Sequence, residues 1–251
     1  MGIVQSQNLM TELKFTGMQN AYEPTLATAT QQQWSHTDFL DQLLQAEYEH
    51  REQRKTKTRI QNAKLRCLAS FEDFDYTANR SITKTQVKEL ASLSWLGQGR
   101  CLLLIGQTGV GKTFIAQAAG LHACQNKKTV IFMNITTLLE NFAIARTSGN
   151  YLKMRDKLSK PDLLIIDDFG LRKLSATEAQ DLCEVLEERA YSKATLITTQ
   201  LPTDHWAEVI EDPVIADAII DRVEPGIKYK IKGESYRKLI ARKLDSKKEQ
   251  K

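Results

Sequence analysis

Cys101-Leu102-Leu103-Leu104-Ile105-Gly106-Gln107-Thr108-Gly109-Val110-Gly111-Lys112-Thr113 joins an apolar run to a glycine-rich loop, and Phe114 to Ala123 beyond it favours helix. The apolar run predicts a buried parallel strand. The loop predicts a cradle of inward-pointing backbone N–H groups around a polyphosphate. Gly106 and Gly111 permit backbone geometry and close approach that a β-carbon would block. Gln107, Thr108, Gly109 and Val110 complete the turn. Lys112 can reach the outer phosphates, and the Thr113 hydroxyl can ligate Mg²⁺. A helix starting near Lys112 adds its positive end.

A second signal follows the loop by about 55 residues: Leu163-Leu164-Ile165-Ile166-Asp167-Asp168. A buried strand here delivers two carboxylates to the sheet edge where open α/β sheets bind ligands. Asp167 is the candidate magnesium acid, and Asp168 the candidate that orients or deprotonates attacking water. Around these motifs, strands are expected at Thr129–Met133, Thr195–Thr199 and Tyr229–Ile231. Helices are expected at Thr83–Leu93, at Thr136–Arg146, after a break at Ser148-Gly149-Asn150 as a short helix to Leu158, and at Ser175–Tyr191, with Leu182, Val185, Leu186 and Arg189 in one stripe. The alternation predicts an α/β fold with a parallel five-stranded sheet flanked by helices.

Ahead of the sheet, Ser35 and Asp38 mark a helix start, and Phe39, Leu40, Leu43, Leu44 and Tyr48 recur at helical spacing. Leu9 to Met18 suggests a short amphipathic helix, and Thr25–Gln33 a loop or ragged helix. This predicts a small helical N-terminal domain over residues 1–68, a nucleotide-binding domain over 69–242 and a basic tail over 243–251. Asn79-Arg80-Ser81 reads as a turn.

Charge is unevenly spread. Residues 51–66 carry seven Lys/Arg and one Glu, and residues 226–251 carry ten Lys/Arg and three acids, so the rest is close to −9 under a total of +4. Two basic blocks on an acidic body suit a polyanion. Arg51, Lys55 and Arg59 share one helical face, with Arg54, Lys57 and Arg66 nearby; these six are the candidate DNA contacts, with Lys153 and Arg155 (and Arg146) in a second tier. A phosphate-directed patch predicts duplex binding with little base reading. Four scattered cysteines, histidines without ligand spacing, no secretory signal and no long apolar run predict a cytoplasmic protein that crosses no membrane.

From Phe71 to Arg242 the chain resembles an AAA+ ATPase of the initiator and helicase-loader branch, and within it the IstB family, ATP-binding helpers of insertion-sequence transposition. The motifs that carry the resemblance are Phe-Glu-Asp-Phe-Asp at 71–75, the loop at 106–113, Leu-Leu-Ile-Ile-Asp-Asp-Phe-Gly at 163–170, Ile-Thr-Thr-Gln-Leu-Pro at 197–202, Ala-Ile-Ile-Asp-Arg-Val at 218–223 and Gly-Glu-Ser-Tyr-Arg at 233–237. The resemblance implies ATP and Mg²⁺ as ligands. It also implies Gln200 or Thr199 as the first sensor of the γ-phosphate. Arg222 resembles a finger reaching a neighbour's ATP, and Arg237 a second sensor within its own subunit. The implied function is an ATP-dependent DNA-binding regulator that forms homo-oligomers on duplex DNA and recruits or stimulates a transposase. The rival readings are a helicase loader of the same branch and a small-molecule kinase. Asp168 stands where many AAA+ proteins carry Glu, and Gln200 where Asn is common, which implies slow hydrolysis.

Overall fold

Successive leucines of the strand Cys101–Gly106 (β1) point to opposite faces of the sheet, and both faces are covered. Leu102 and Leu104 join one buried cluster; Leu103 and Ile105 join another. That double burial is why the strand reads as an unbroken apolar run. The computed structural model describes residues 2–75 and 81–236 of the chain. Tyr76, the expected turn at 79–80, Arg237 and the basic tail lie outside the described residues.

The described chain divides into two units, Met1–Thr58 and Arg59–Lys251. The division falls ten residues earlier than expected, because residues 59–75 pack with the sheet-bearing unit. The first unit holds α1 (Gly2–Glu12), α2 (Thr16–Gln32) and most of α3 (His36–Ala63). Of the loop or ragged helix expected at Thr25–Gln33, the structure has helix, the second half of α2. The hydroxyls of Thr28 and Thr30 fold back onto helix carbonyls four residues earlier, which let polar side chains sit on a helix. The start of α2 is closed by Glu47 of α3, whose carboxylate accepts from the amides of Gly17 at 2.7 Å and Met18 at 3.1 Å. A β-carbon on Gly17 would lie 2.6 Å from the Ala46 carbonyl, so only glycine lets the two helices approach this closely. Ser35 caps α3 by accepting from the Asp38 amide at 3.1 Å, as expected.

In the second unit the strands β1, β2 (Val130–Asn134), β3 (Leu163–Phe169), β4 (Ala194–Thr199) and β5 (Ile227–Ile231) form one sheet in the order β2-β3-β4-β1-β5. All four pairings are parallel. The strand at Thr195–Thr199, late in sequence, is thus inserted between the two motif strands, and β2 lies at the edge. One face is packed by α4 (Lys84–Ala91) and α5 (Lys112–Gln125); the other by α6 (Ile135–Thr147), α7 (Tyr151–Ser159), α8 (Ala176–Arg189) and α9 (Pro213–Val223). Ala116, Ala119 and Gly120 keep α5 thin against the sheet; a β-carbon on Gly120 would come within 2.9 Å of Ile165.

Asp162 ties the start of β3 to its neighbours. Its carboxylate accepts from the Thr129 amide and hydroxyl at 2.9 and 2.8 Å and from Lys193 at 2.9 Å. Partial burial would raise its pKa, but the Thr129 and Lys193 bonds win and hold it at about 2. A carboxyl whose folded pKa lies below its ordinary value stabilises above that ordinary value and loses the effect as pH falls through the folded one. We therefore expect Asp162→Asn to cost about 1 kcal/mol at neutral pH, after allowance for solvent screening. The gap from wild type, measured by urea unfolding between pH 7 and 2, should close progressively below about pH 4. A gap independent of pH would show that the charge is not what matters.

Candidate functional site

The glycine loop is shaped by contacts that leave no room for side chains. A β-carbon on Gly106 would lie 2.2 Å from the Ile231 carbonyl of β5. Gly109 and Gly111 adopt φ of +85° and +102°, in the left-handed region that glycine enters without penalty. Val110 is buried and anchors the loop to the core, while Gln107 and Thr108 are exposed at its tip. The Lys112 ammonium donates to the Gly106 carbonyl at 2.7 Å and the Gln107 carbonyl at 2.9 Å. It is 5% exposed, so a charged group is held inside the loop curve where phosphate oxygens would sit. Gly111 caps α5, whose first amides face the same space. The described chain end closes over this loop: the Tyr236 amide donates to Gly109 O at 2.9 Å, and Ser235 lies against Gly109.

The two acids part company at a β-bulge. Ile166 pairs with Ile197 but Phe169 pairs with Thr199, so β3 has one residue more than β4 across this stretch. Asp168 takes up the excess with φ +62°. Its amide, displaced from the ladder, donates to the Thr198 hydroxyl at 2.9 Å, and that hydroxyl donates to Asp167 at 2.6 Å. Asp167 is fully buried and also accepts from Thr113 Oγ at 3.0 and 3.2 Å. Burial pushes its carboxyl up, the Thr198 bond opposes this, the Asp168 charge adds to it, and the Thr113 bond and Arg66 charge oppose it; the net direction is upward. A buried acid under that pressure, in contact with a threonine hydroxyl, fits a divalent cation that takes its remaining ligands from phosphate and water. Asp168 is turned the other way, where the Asn134 amide of β2 donates to it at 3.3 Å.

The remaining expected residues sort as follows. Thr199 is fully buried and its hydroxyl serves the backbone, donating to Phe169 O at 2.9 Å and accepting from the Leu201 amide at 3.0 Å. Its hydroxyl is thus engaged locally, while Gln200 is exposed at the strand end. Arg222, near the end of α9, donates to Glu187 of α8 at 3.0 Å and to Ala218 O at 2.8 Å. Arg155 of α7 pairs with Glu184 and Glu188, and Arg146 of α6 with Asp181, so both helices are bound to α8 by ion pairs. As DNA contacts Arg155 and Arg146 would first have to leave these partners; Lys153 on α7 is exposed. Within the first unit Arg51 is half committed, its guanidinium 2.6 Å from Glu47 and 5.4 Å above the Phe15 ring, and Lys55 pairs with Glu52 at 2.9 Å. Arg54 and Lys57 are exposed on α3, Arg59 is half-buried, and Arg66 is exposed with its guanidinium 5.7 Å above the Phe132 ring. Thr198 and Asn134 escaped the sequence reading. The run of two threonines at 198–199 did not say which one faced the acid, and Asn134 reads locally as the cap of α6, which it is, accepting from the Thr136 amide at 2.9 Å.

A parallel sheet with β4 between the loop strand and the acid strand, a glycine cradle with its inward lysine, and a bulged acid pair define an α/β phosphate-loop protein of the AAA+ type. The replication initiator DnaA bound to AMPPCP and single-stranded DNA shares the fold, with a TM-score of 0.56 at 19% identity, over 73% of this chain and 56% of that one. The family model for IstB-like ATP binding protein matches residues 8–244. The chain belongs to that family. It is 37% identical over 229 residues to a putative insertion sequence ATP-binding protein of Sinorhizobium fredii, covering 91% of this chain and 94% of that one. It is 31% identical over 233 residues to a putative ATP-binding protein in an insertion sequence of Mycobacterium tuberculosis, covering 92% and 93%. Among the described residues no helix is long and apolar enough to cross a membrane.

Proposed function

We propose that this chain binds ATP with Mg²⁺, assembles through it into homo-oligomers on duplex DNA, and recruits or stimulates the transposase of its insertion sequence, with slow hydrolysis releasing the assembly. The observation that carries the reading is the chain of contacts Lys112–loop, Thr113–Asp167–Thr198 and Asp168–Asn134 at one sheet edge. The loop amides and Lys112 would bind the phosphates. Thr113 and Asp167 would hold Mg²⁺, which supplies charge neutralisation on the phosphates when bound. Asp168, held by Asn134, would orient a water for attack; one methylene shorter than Glu, it suits a slow switch. Relatives named as ATP-binding proteins of insertion sequences support the cellular role. The insertion of β4 between β1 and β3 supports an ATPase over a small-molecule kinase.

Arg222 is the proposed finger for a neighbouring subunit's ATP, and it must leave Glu187 to act. Arg222→Ala should leave ATP affinity within about twofold while hydrolysis on duplex DNA falls by roughly 10²-fold or more. Mixing it with Lys112→Ala protein should restore turnover, because each variant supplies what its neighbour lacks. No recovery in any mixture, or loss of ATP binding by Arg222→Ala alone, would end the trans assignment. The DNA role rests on the exposed Arg54 and Lys57, with Lys55 beside them. Sedimentation with duplex DNA in ATP, ADP or no nucleotide tests the whole proposal; assembly indifferent to nucleotide would sink it.

A further inference from the structure

Residues 63–67, where the basic helix ends, run along the face of α5 that carries the nucleotide threonine. Thr113, Gln117 and Gly120 are spaced i, i+4 and i+7 and so share one side of that helix. Leu65 packs where a β-carbon on Gly120 would lie 3.0 Å from it. The Cys67 amide donates to Gln117 Oε1 at 2.7 Å, and Gln117 is 3% exposed. From Leu65 to Cys67 the chain therefore climbs α5 towards Thr113. Arg66 sits between these anchors, its guanidinium 5.7 Å above the Phe132 ring. Phe132 pairs with Ile165 across β2 and β3, and two residues further Asn134 pairs with Asp167. Arg66 thus stands one pleat below the acid edge, on the same sheet face as Asp167.

We infer that Arg66 is the cationic flank of the magnesium–triphosphate site, a positioning residue for bound nucleotide rather than a contact to DNA phosphate. The inference rests on the nucleotide reading above and adds to it. Lys112 holds the loop side of the site. The acid side gathers Asp167 and Asp168, and a bound MgATP adds further net negative charge. A guanidinium beside that cluster is favoured by every negative charge placed there, and most by the γ-phosphate. Phe132 supplies a flat surface on which the guanidinium plane can rest.

The test uses the full chain with Arg66→Met, which keeps the apolar stem over Phe132 and drops the charge, and Arg66→Lys, which keeps the charge. Calorimetry with MgATP and MgADP, and duplex binding without nucleotide across a salt series, are the readouts. Arg66→Met should weaken MgATP by roughly five- to tenfold and MgADP by less. Arg66→Lys should stay within about twofold of wild type, and neither should alter the salt slope. Lys57→Gln should do the reverse, lowering the slope by about 0.9 with nucleotide affinity unchanged. Unchanged MgATP affinity in Arg66→Met, with or without a smaller slope, overturns the inference. So does equal weakening by Met and Lys, which would mark a packing role. If wild type itself gives no heat with MgATP, the nucleotide reading fails and takes this inference with it; failure of Arg66 alone shows wild type and Arg66→Met binding equally.

Discussion

Lys112→Ala protein should bind MgATP at least about 10²-fold more weakly than wild type and should lose nucleotide-dependent assembly on DNA. The ammonium is buried inside the loop and bonded to two of its carbonyls, at 2.7 and 2.9 Å. Hydrogen bonds to a charged group contribute about 1.5–3 kcal/mol each, and every 1.4 kcal/mol is about tenfold in affinity. Loss of the ammonium removes the attraction to phosphate and also frees the carbonyls that set the loop's curve. Calorimetry gives the affinity, and a melting curve without nucleotide shows whether the fold survives. Affinity within about threefold of wild type would remove residues 106–113 from the site. Lys112→Arg should also bind poorly, since a planar fork does not fit a position enclosed by the two loop carbonyls.

Arg189→Ala should destabilise the second unit by about 3–5 kcal/mol, the cost expected when a buried charged network loses its centre. Arg189 is 1% exposed. Its guanidinium donates to the carbonyls of Leu158 at 2.8 Å and Pro161 at 2.9 Å, to the Thr195 hydroxyl at 3.0 Å, and to Ser159 O and Ala194 O. It thereby joins the end of α7, the entry to β3 and the start of β4. Burial lowers its pKa to about 10, still far above neutrality, so it stays charged in the fold. Truncation would leave these carbonyls buried without a donor, at about 1–3 kcal/mol apiece before relaxation. Arg189→Lys should fall between, keeping charge without the fork. Urea unfolding is the measurement, and a loss under about 1 kcal/mol for Arg189→Ala would contradict this account.

Arg189 also shows how far a linear reading goes. Its place in a helical stripe with Leu182, Val185 and Leu186 was legible, and the stripe is the buried face of α8. That the arginine is as buried as the leucines was not legible, because its partners are carbonyls, and every residue carries one. The partners of the arginines on α6 and α7 were hidden for a related reason. Arg146 and Arg155 read as a basic surface until Asp181, Glu184 and Glu188, about 30 residues away in sequence, are brought against them. The second half of α2 stayed open between loop and helix because Thr, Gln and Ala with Pro24 inside carry no apolar period, while the helix start is closed by Glu47 on another helix.

By itself the sequence determined the phosphate cradle, its strand and helix, and the acid-ended strand. Each depends on backbone conformation and side-chain spacing within about ten residues, so local chemistry is sufficient. Only tertiary structure decided the work of the individual polar groups. Parallel pairing inserted β4 between β1 and β3, a one-residue bulge turned Asp168 away from Asp167, and that placed Thr198 and Asn134 as their separate partners. The physical reason is that strand order and register bring together groups remote along the chain, and a hydrogen bond is sensitive to shifts of a few tenths of an ångström that no spacing encodes.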